Sequence, residues 1–446
     1  MRIKKVSFFL AAAMAVSMVT FSSEAAGFVR INAENFPDPA FRKYISQNID
    51  TNKDGRLSAK EISGTDSINL GCMTIKDLSG IEYFTKIDRL DCSKNKLTSI
   101  DVSKNTELAY LDCCGNALKS LDISKNKKLT YLNCAENKLT SLDVSKNTKL
   151  IDLNCALNAV NILDISKNKE LQTLYCGYNR IKKLDISNNE DLEILFCDDN
   201  MFEDIDISKN TKLYIIDCSG NKLVSLDTSK NIRLSALYCY KNKLTGLDLS
   251  KNNELREIYC SDNLLEGLDV SKNPDLIELG CSNNQITSLD ISKNSYMYYL
   301  DCSENGLKSL DISKNPYMYY LDCSGNKLKS LDTYDNCELM YLLCENNMLT
   351  SIALNDNCQI IQLKCSDNKF KISASAGDTY DLSRLEKYGF DPEKTANWQG
   401  AEYDSKTNTI KISSRTVTYD YNSGGHDDET GKELVVQFTL IAAGKK

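Results

Sequence analysis

From residue 66 to residue 372 the apolar positions of the chain fall on one beat. The stretch Leu129 to Lys149 shows it, with Leu129, Leu132, Leu139 and Leu142 spaced around Cys134 and Val144, and polar residues between them. As a pattern it is L-x-x-L-x-C-x-x-N-x-L-x-x-L-D-[IV]-S-K-N-x-x, 21 residues long. A fixed period in this range predicts a stacked solenoid, because one such unit cannot bury its own apolar face. Around Cys134 and again around Val144 the apolar residues alternate with period two, so each half predicts a short strand followed by a bend. No room is left for a useful helix. The expectation is a mainly β solenoid of about fifteen turns with short strands on both sides, on the order of 70 Å long at ~4.8 Å per strand.

Polar residues recur as strictly as the leucines. One asparagine column runs Asn95, Asn116, Asn137 and on to Asn368; a second runs Asn105, Asn126, Asn147 and on to Asn357. An asparagine both donates and accepts, so at a bend it can satisfy backbone groups stranded where a strand stops. An Asp column (Asp101, Asp122, Asp143 through Asp332) and a Lys column (Lys104, Lys125, Lys146 through Lys314) read as a solvated, charge-balanced face.

Eighteen cysteines change the picture only until their spacing is seen. Fourteen of them keep the beat from Cys92 to Cys365, alternating inward with leucines, which makes them small apolar core filler. Stacked strands set equivalent Cβ atoms ~4.8 Å apart, wider than a disulfide prefers, so reduced thiols are expected throughout. A metal array would need partners, and His426 is the single histidine. Cys72 sits 20 residues before Cys92 in an aberrant first turn, while Cys337 and Cys358 lie outside the core pattern and could pair with each other.

The flanks differ from the repeat. Residues 1–26 carry a basic start, an apolar run from Val6 to Phe21 and a small-residue exit, which reads as a secretory signal peptide. Residues 27–65 contain a twelve-residue calcium-loop pattern. Asp50, Asn52 and Asp54 stand at its first three oxygen positions, Gly55 at the turn, and the Arg56 carbonyl, Ser58 and Glu61 complete the set. Pro39 to Ile49 predicts the entering helix, and Ser58-x-x-Glu61 caps a short exit helix. A single loop lacks the pairing of a calcium sensor, so the ion is expected as a structural staple. Residues 373–446 have no cysteine and predict a small β domain, with strands at 409–412, 416–419 and 434–438, a short helix over 382–388 and a loop at 422–428.

The repeat resembles the nested 21-residue bacterial leucine-rich repeat of the IRREKO type. The segment Asn35-Phe36-Pro37-Asp38 with the calcium loop is similar to the cap of secreted leucine-rich repeat proteins of gut Firmicutes, and more distantly to the internalins. The resemblance implies an exported, secreted or surface protein that binds an extracellular protein partner. The tail from Leu440 to Lys446 carries no anchor or sorting pattern, so internalin receptor choice does not carry over.

A formal charge of −8, with 62 acidic and 54 basic residues interspersed, argues against nucleic acid or an anionic membrane as partner. No serine elbow, catalytic histidine, phosphate loop or zinc spacing points to an enzyme. The informative positions are those where the repeat varies. The outward strand positions become aromatic at Tyr175, Phe196, Tyr238, Tyr259, Tyr299, Tyr320 and Tyr341, with Tyr214 close by, where earlier turns carry Asp91, Asp112, Asn133, Asp152 and Asn154. Those aromatics are candidate ligand contacts for a protein or, alternatively, for a glycan or cell wall; cross-strand stacking that only stabilises the sheet is the other reading.

Overall fold

The computed structural model describes residues 27–355, 359–427 and 433–443. The expected signal peptide lies outside them, as does Cys358 and with it the pairing considered for Cys337. Among the described residues no helix is long and apolar enough to cross a membrane.

The solenoid is a right answer to the repeat: a 15-stranded sheet in which each three-residue strand pairs in parallel with the next. It begins at Ser67–Asn69 and ends at Gln362–Lys364. Register advances by one repeat per strand, so Leu174 lies beside Leu153 and Leu195, and the central strand residues form one buried row. At the first step the register places Ile68 against Leu90. Leu70 takes the inward position, and Cys72 turns outward at φ 62° instead of joining the cysteine column.

Each strand is followed by a bend that depends on the first asparagine column. Asn179 is representative: its Nδ2 donates to the carbonyls of Cys155, Cys176 and Gly177, and its Oδ1 accepts from Val160 N–H at 2.9 Å. The residue just before each such asparagine is left-handed, whether Gly115 (φ 64°) or Glu136 (φ 53°) and Tyr178 (φ 52°). That conformation is costly for residues with a Cβ, and the asparagine bonds hold it.

The second half of the turn corrects the expectation of strands on both sides. Among the described residues only Leu142–Asp143 pairs there with Leu163–Asp164, with one further bridge between Asp332 and Ala353. Elsewhere the backbone turns on itself: Asp122 Oδ1 accepts from Ser124 N–H, Asn126 N–H donates to Ile123 O, and Leu129 N–H to Asn126 O. The same bonds recur in the paired turns, where Ser145 N–H donates to Asp143 and Ser166 N–H to Asp164, so they shape the bend without deciding the pairing. They also show that the Asp column serves the backbone rather than the Lys column.

The cysteines from Cys92 to Cys323 along the column are free and fully buried. Burial pushes the Cys155 and Cys260 thiols up to about 12, so these sulfurs stay protonated and inert. The last pair is different. Cys344 and Cys365 are joined by a disulfide across a Cα–Cα distance of 4.9 Å, within the range a bridge tolerates. Strand spacing therefore permits bridging of neighbours, and reduced thiols throughout is corrected at this end.

Both ends of the stack are covered. At the N-terminus the strand Phe28–Arg30 pairs with Arg56–Ser58, and the helices Pro39–Asn48 and Ala59–Ser63 flank the loop. Phe36 packs on Phe41 and Tyr83 against Gly80, where any Cβ would come within 2.4 Å of the Phe36 ring. Asp38 caps the first helix through one oxygen and takes Lys76 N–H of the first turn on the other. At the C-terminus Thr416–Asp427 and Glu433–Ala443 form an antiparallel pair. Strand continues from 416 to 427, so the loop expected at 422–428 is not where the sequence placed it; its last residue lies outside the described ones. Buried Tyr419 stacks on Trp398 at 4.5 Å and donates its hydroxyl to the Thr350 carbonyl at 2.5 Å, fixing this domain to the end of the sheet.

Candidate binding face

A strand of three residues buries its middle side chain and presents the two that flank it. In register, these become two columns on the exposed sheet face. The sequence-predicted aromatics meet there in two groups separated by Asp217. Tyr175 and Phe196 stack at 5.0 Å. Tyr238, Tyr259, Tyr299, Tyr320 and Tyr341 form a chain with successive ring distances of 5.6, 6.2, 4.6 and 6.1 Å. Tyr214 lies one residue before its strand and joins none of these ring pairs.

Gly280 explains how the second chain stays continuous. It occupies the column position after Tyr259, and a Cβ there would come within 2.7 Å of the Tyr259 ring. Lacking one, it lets Tyr259 lean across the turn toward Tyr299. Hydroxyls are held as well as rings: Tyr238 donates to the Glu257 carboxylate and Tyr259 to Glu278 at 2.6 Å. Burial and then the partner carboxylate keep both hydroxyls protonated far above the usual tyrosine range. All the predicted aromatics are half-buried. They therefore stabilise the sheet by cross-strand stacking and still present a rigid, amphipathic strip to solvent.

Sequence reasoning passed over two further sets. Tyr110 and Tyr131 stack at 4.3 Å near the N-terminal end, with the Arg89 guanidinium 3.5 Å over the Tyr110 ring. They hold the same strand position as Tyr299 and Tyr320, so aligning the repeats by register finds them. Tyr296 and Tyr317 sit three residues before their strands, at positions held by Lys, Glu, Asp or Arg in earlier turns. With Tyr298 they are 56%, 55% and 43% exposed.

The gap between the two aromatic groups carries electrostatic strain. Asp198 lies over Gly177, where a Cβ would come within 2.2 Å of its carboxylate. Burial, and then the neighbouring Asp217 carboxylate, raise Asp198 to about 6.

In the N-terminal loop the side-chain oxygens of Asp50 and Asn52 both accept from Asp54 N–H, and Asp50 also accepts from Gly55 N–H. Arg56 N–H donates to Asp54. Glu61 reaches back across the loop, accepting from Thr51 N–H on one oxygen and Ser58 N–H on the other. The Ser58 N–H, followed by the Thr51 and Ser58 hydroxyls, lowers Glu61 to about 2. Glu61 thus closes onto Thr51, the residue after the first acidic position. Among the described residues no three Asp, Glu, His or Cys side chains gather as a metal cage, so an ion here would depend on Asn52, Ser58 and the Arg56 carbonyl as much as on the carboxylates.

No protein-family model and no curated protein matches the chain. Solved structures do. The functional domain of InlJ from Listeria monocytogenes, described as including a cysteine ladder, is 30% identical, with a TM-score of 0.78 over 94% of this chain and 99% of that one. An internalin, inlF, from the same species is similar in fold at 22% identity, with a TM-score of 0.64 over 70% of this chain and 96% of that one. A plant peptide hormone receptor, RGFR1, in complex with RGF2 shares the fold at 20% identity, with a TM-score of 0.57 over 66% of this chain and 54% of that one. With its repeat, its cysteine column and this coverage, the chain belongs to the internalin-type leucine-rich repeat proteins.

Proposed function

We infer that the protein is exported and binds an extracellular protein partner through the aromatic strip of its sheet face, without enzymatic activity. The carrying observation is the chain of rings from Tyr238 to Tyr341, held by stacking and by hydroxyl bonds to Glu257 and Glu278. Rigid tyrosines with one apolar face and a fixed polar tip are the material of interface hot spots, because little side-chain entropy is lost on binding. Family membership supports a binding rather than catalytic role. The test is an array of extracellular and cell-surface proteins probed with the full chain and with Y238A/Y259A. Loss of captured partners by the variant, at unchanged melting temperature, supports the strip; equal capture places the site elsewhere.

Calcium, in this proposal, braces the N-terminal cap and takes no part in ligand contact. Bound by Asp50, Asn52, Asp54, Glu61, Ser58 and the Arg56 carbonyl, it would neutralise carboxylates that otherwise rely on loop N–H groups. Chelation should lower the melting temperature of the cap and leave partner binding intact. A chelator that changes neither stability nor calcium content counts against the site.

A further inference from the structure

We propose that the rim of the sheet face beside the aromatic strip, where Glu254, Arg256, Asp275, Tyr296, Tyr298 and Tyr317 line a groove of about 740 Å³, is a subsite for an extended, lysine- or arginine-bearing segment of the partner protein. The proposal rests on the sheet face being a protein-binding surface and names the chemistry of what it takes.

The argument starts from one column of the repeat. The position three residues before each strand carries Glu107, Lys128, Lys149, Glu170, Asp191, Lys212, Arg233, Glu254, Asp275, Tyr296 and Tyr317 in successive turns. In the earlier turns an acid and a lysine one turn apart close an ion pair, as Glu107 with Lys128 and Asp191 with Lys212, each at 2.5 Å. At the groove this alternation stops. Asp275 has Glu254 on one side and Tyr296 on the other, so neither of its column neighbours is a cation, while Glu254 has Arg233 one turn before it. Among the described residues neither Glu254 nor Asp275 is in an ion pair. Two carboxylates line the groove against one guanidinium, and Glu257 and Glu278 add two more at the adjoining strand starts.

The tyrosines complete the chemistry. Tyr296 and Tyr317 lie 6.4 Å apart with planes within 9° of parallel, and Tyr298 stacks on Tyr319 at 4.8 Å. Their exposed ring faces offer cation–π contacts to an ammonium or guanidinium, next to carboxylates that can pair with the same group. The parallel arrangement repeats along the stack, which suits an extended chain crossing several turns. An acidic partner would meet Glu254 and Asp275 in the groove against one arginine.

The test uses the full chain and a fluorescein-labelled peptide of alternating Lys and Ser, with the matching Glu/Ser peptide and a soluble chitin oligosaccharide as comparators. The Lys/Ser peptide should bind, more weakly as salt rises, and the Glu/Ser peptide should not. E254Q/D275N should weaken binding about tenfold and flatten its salt dependence. Y296A/Y317A should weaken it about as much. Melting temperatures confirm that each variant is folded; all four substituted groove side chains lie at the surface. Undiminished peptide binding by E254Q/D275N overturns the proposal, and so does binding of the oligosaccharide alone or of no probe. Those outcomes leave the strip standing if Y238A/Y259A still loses its captured partners.

Discussion

The two halves of each turn carry the same apolar spacing, Leu-x-x-Leu-x-Cys against Leu-x-x-Leu-x-Val, yet one builds a 15-stranded sheet and the other a run of turns. Their asparagines differ in the same way. In the first half the Oδ1 of Asn179 receives a backbone N–H from the preceding turn. In the second half the Oδ1 of Asn189, like those of Asn147, Asn168 and Asn210, is buried without a partner. The Asn-x-x-Leu turn has already directed its N–H to a carbonyl, as Leu192 does to Asn189. Apolar period alone does not decide strand from turn. The halves differ in where the asparagine N–H goes: Asn116 N–H donates to Glu136 O of the next turn, and Asn126 N–H to Ile123 O of its own.

Four perturbations separate the halves, in decreasing order of expected effect. Leu195→Ala, in the fully buried strand row, should cost about 3–4 kcal/mol, and Leu184→Ala in the second half should cost less, because Leu184 keeps slight solvent contact. Denaturant unfolding of both measures the gap; equal costs would mean the halves are equally packed. Asn179→Ala leaves three carbonyls and one N–H without their partner and should cost about 2–3 kcal/mol. Asn189→Ala, which strands no N–H, should cost about 1–2 kcal/mol.

The third perturbation concerns Thr228, which replaces the usual valine or isoleucine and donates its hydroxyl to Asn252 Oδ1 at 2.8 Å. Thr228→Val should therefore destabilise by about 1 kcal/mol. Val144→Thr should be neutral or stabilising, since it brings a hydroxyl toward the unmet Asn168 Oδ1. A clear loss in Val144→Thr, measured by thermal unfolding, would show that the oxygen is already satisfied.

The smallest effect is pH-dependent. Asp198 is raised from 3.8 to about 6, so its contribution to stability is fully present below pH 3.8 and is lost as pH rises through 6. Asp198→Asn should match the parent in acid and be more stable by about 1 kcal/mol above pH 6, once screening by water is counted. A pH-independent difference would remove the electrostatic cause.

Much of the fold is legible in residue spacing. The 21-residue beat gives the parallel register, the inward leucines and cysteines, and the bend asparagines, because a solenoid repeats its environment as strictly as its sequence. The aromatic columns are legible too, once the two outward positions of each strand are followed separately. Tyr110 and Tyr131 escape notice because Asp112 and Asn133 hold the other column of those turns.

What the sequence by itself determined is thus the periodic part: a stack of turns and the row each residue type occupies. Tertiary structure decided the rest, and each case has a local cause. In the second half the asparagine N–H turns back to its own turn, as Asn126 to Ile123 O, where the first half reaches the next one, as Asn116 to Glu136 O. The Cys344–Cys365 disulfide depended on a Cα separation that spacing alone brackets but does not fix. Continuity of the tyrosine chain depended on the space left at Gly280. The exposed rim tyrosines became a groove because stacking set them beside Glu254 and Asp275, and Asp275 has no positively charged neighbour in its column. Period specifies which residues become neighbours; distances and competing hydrogen bonds between those neighbours specify what they do.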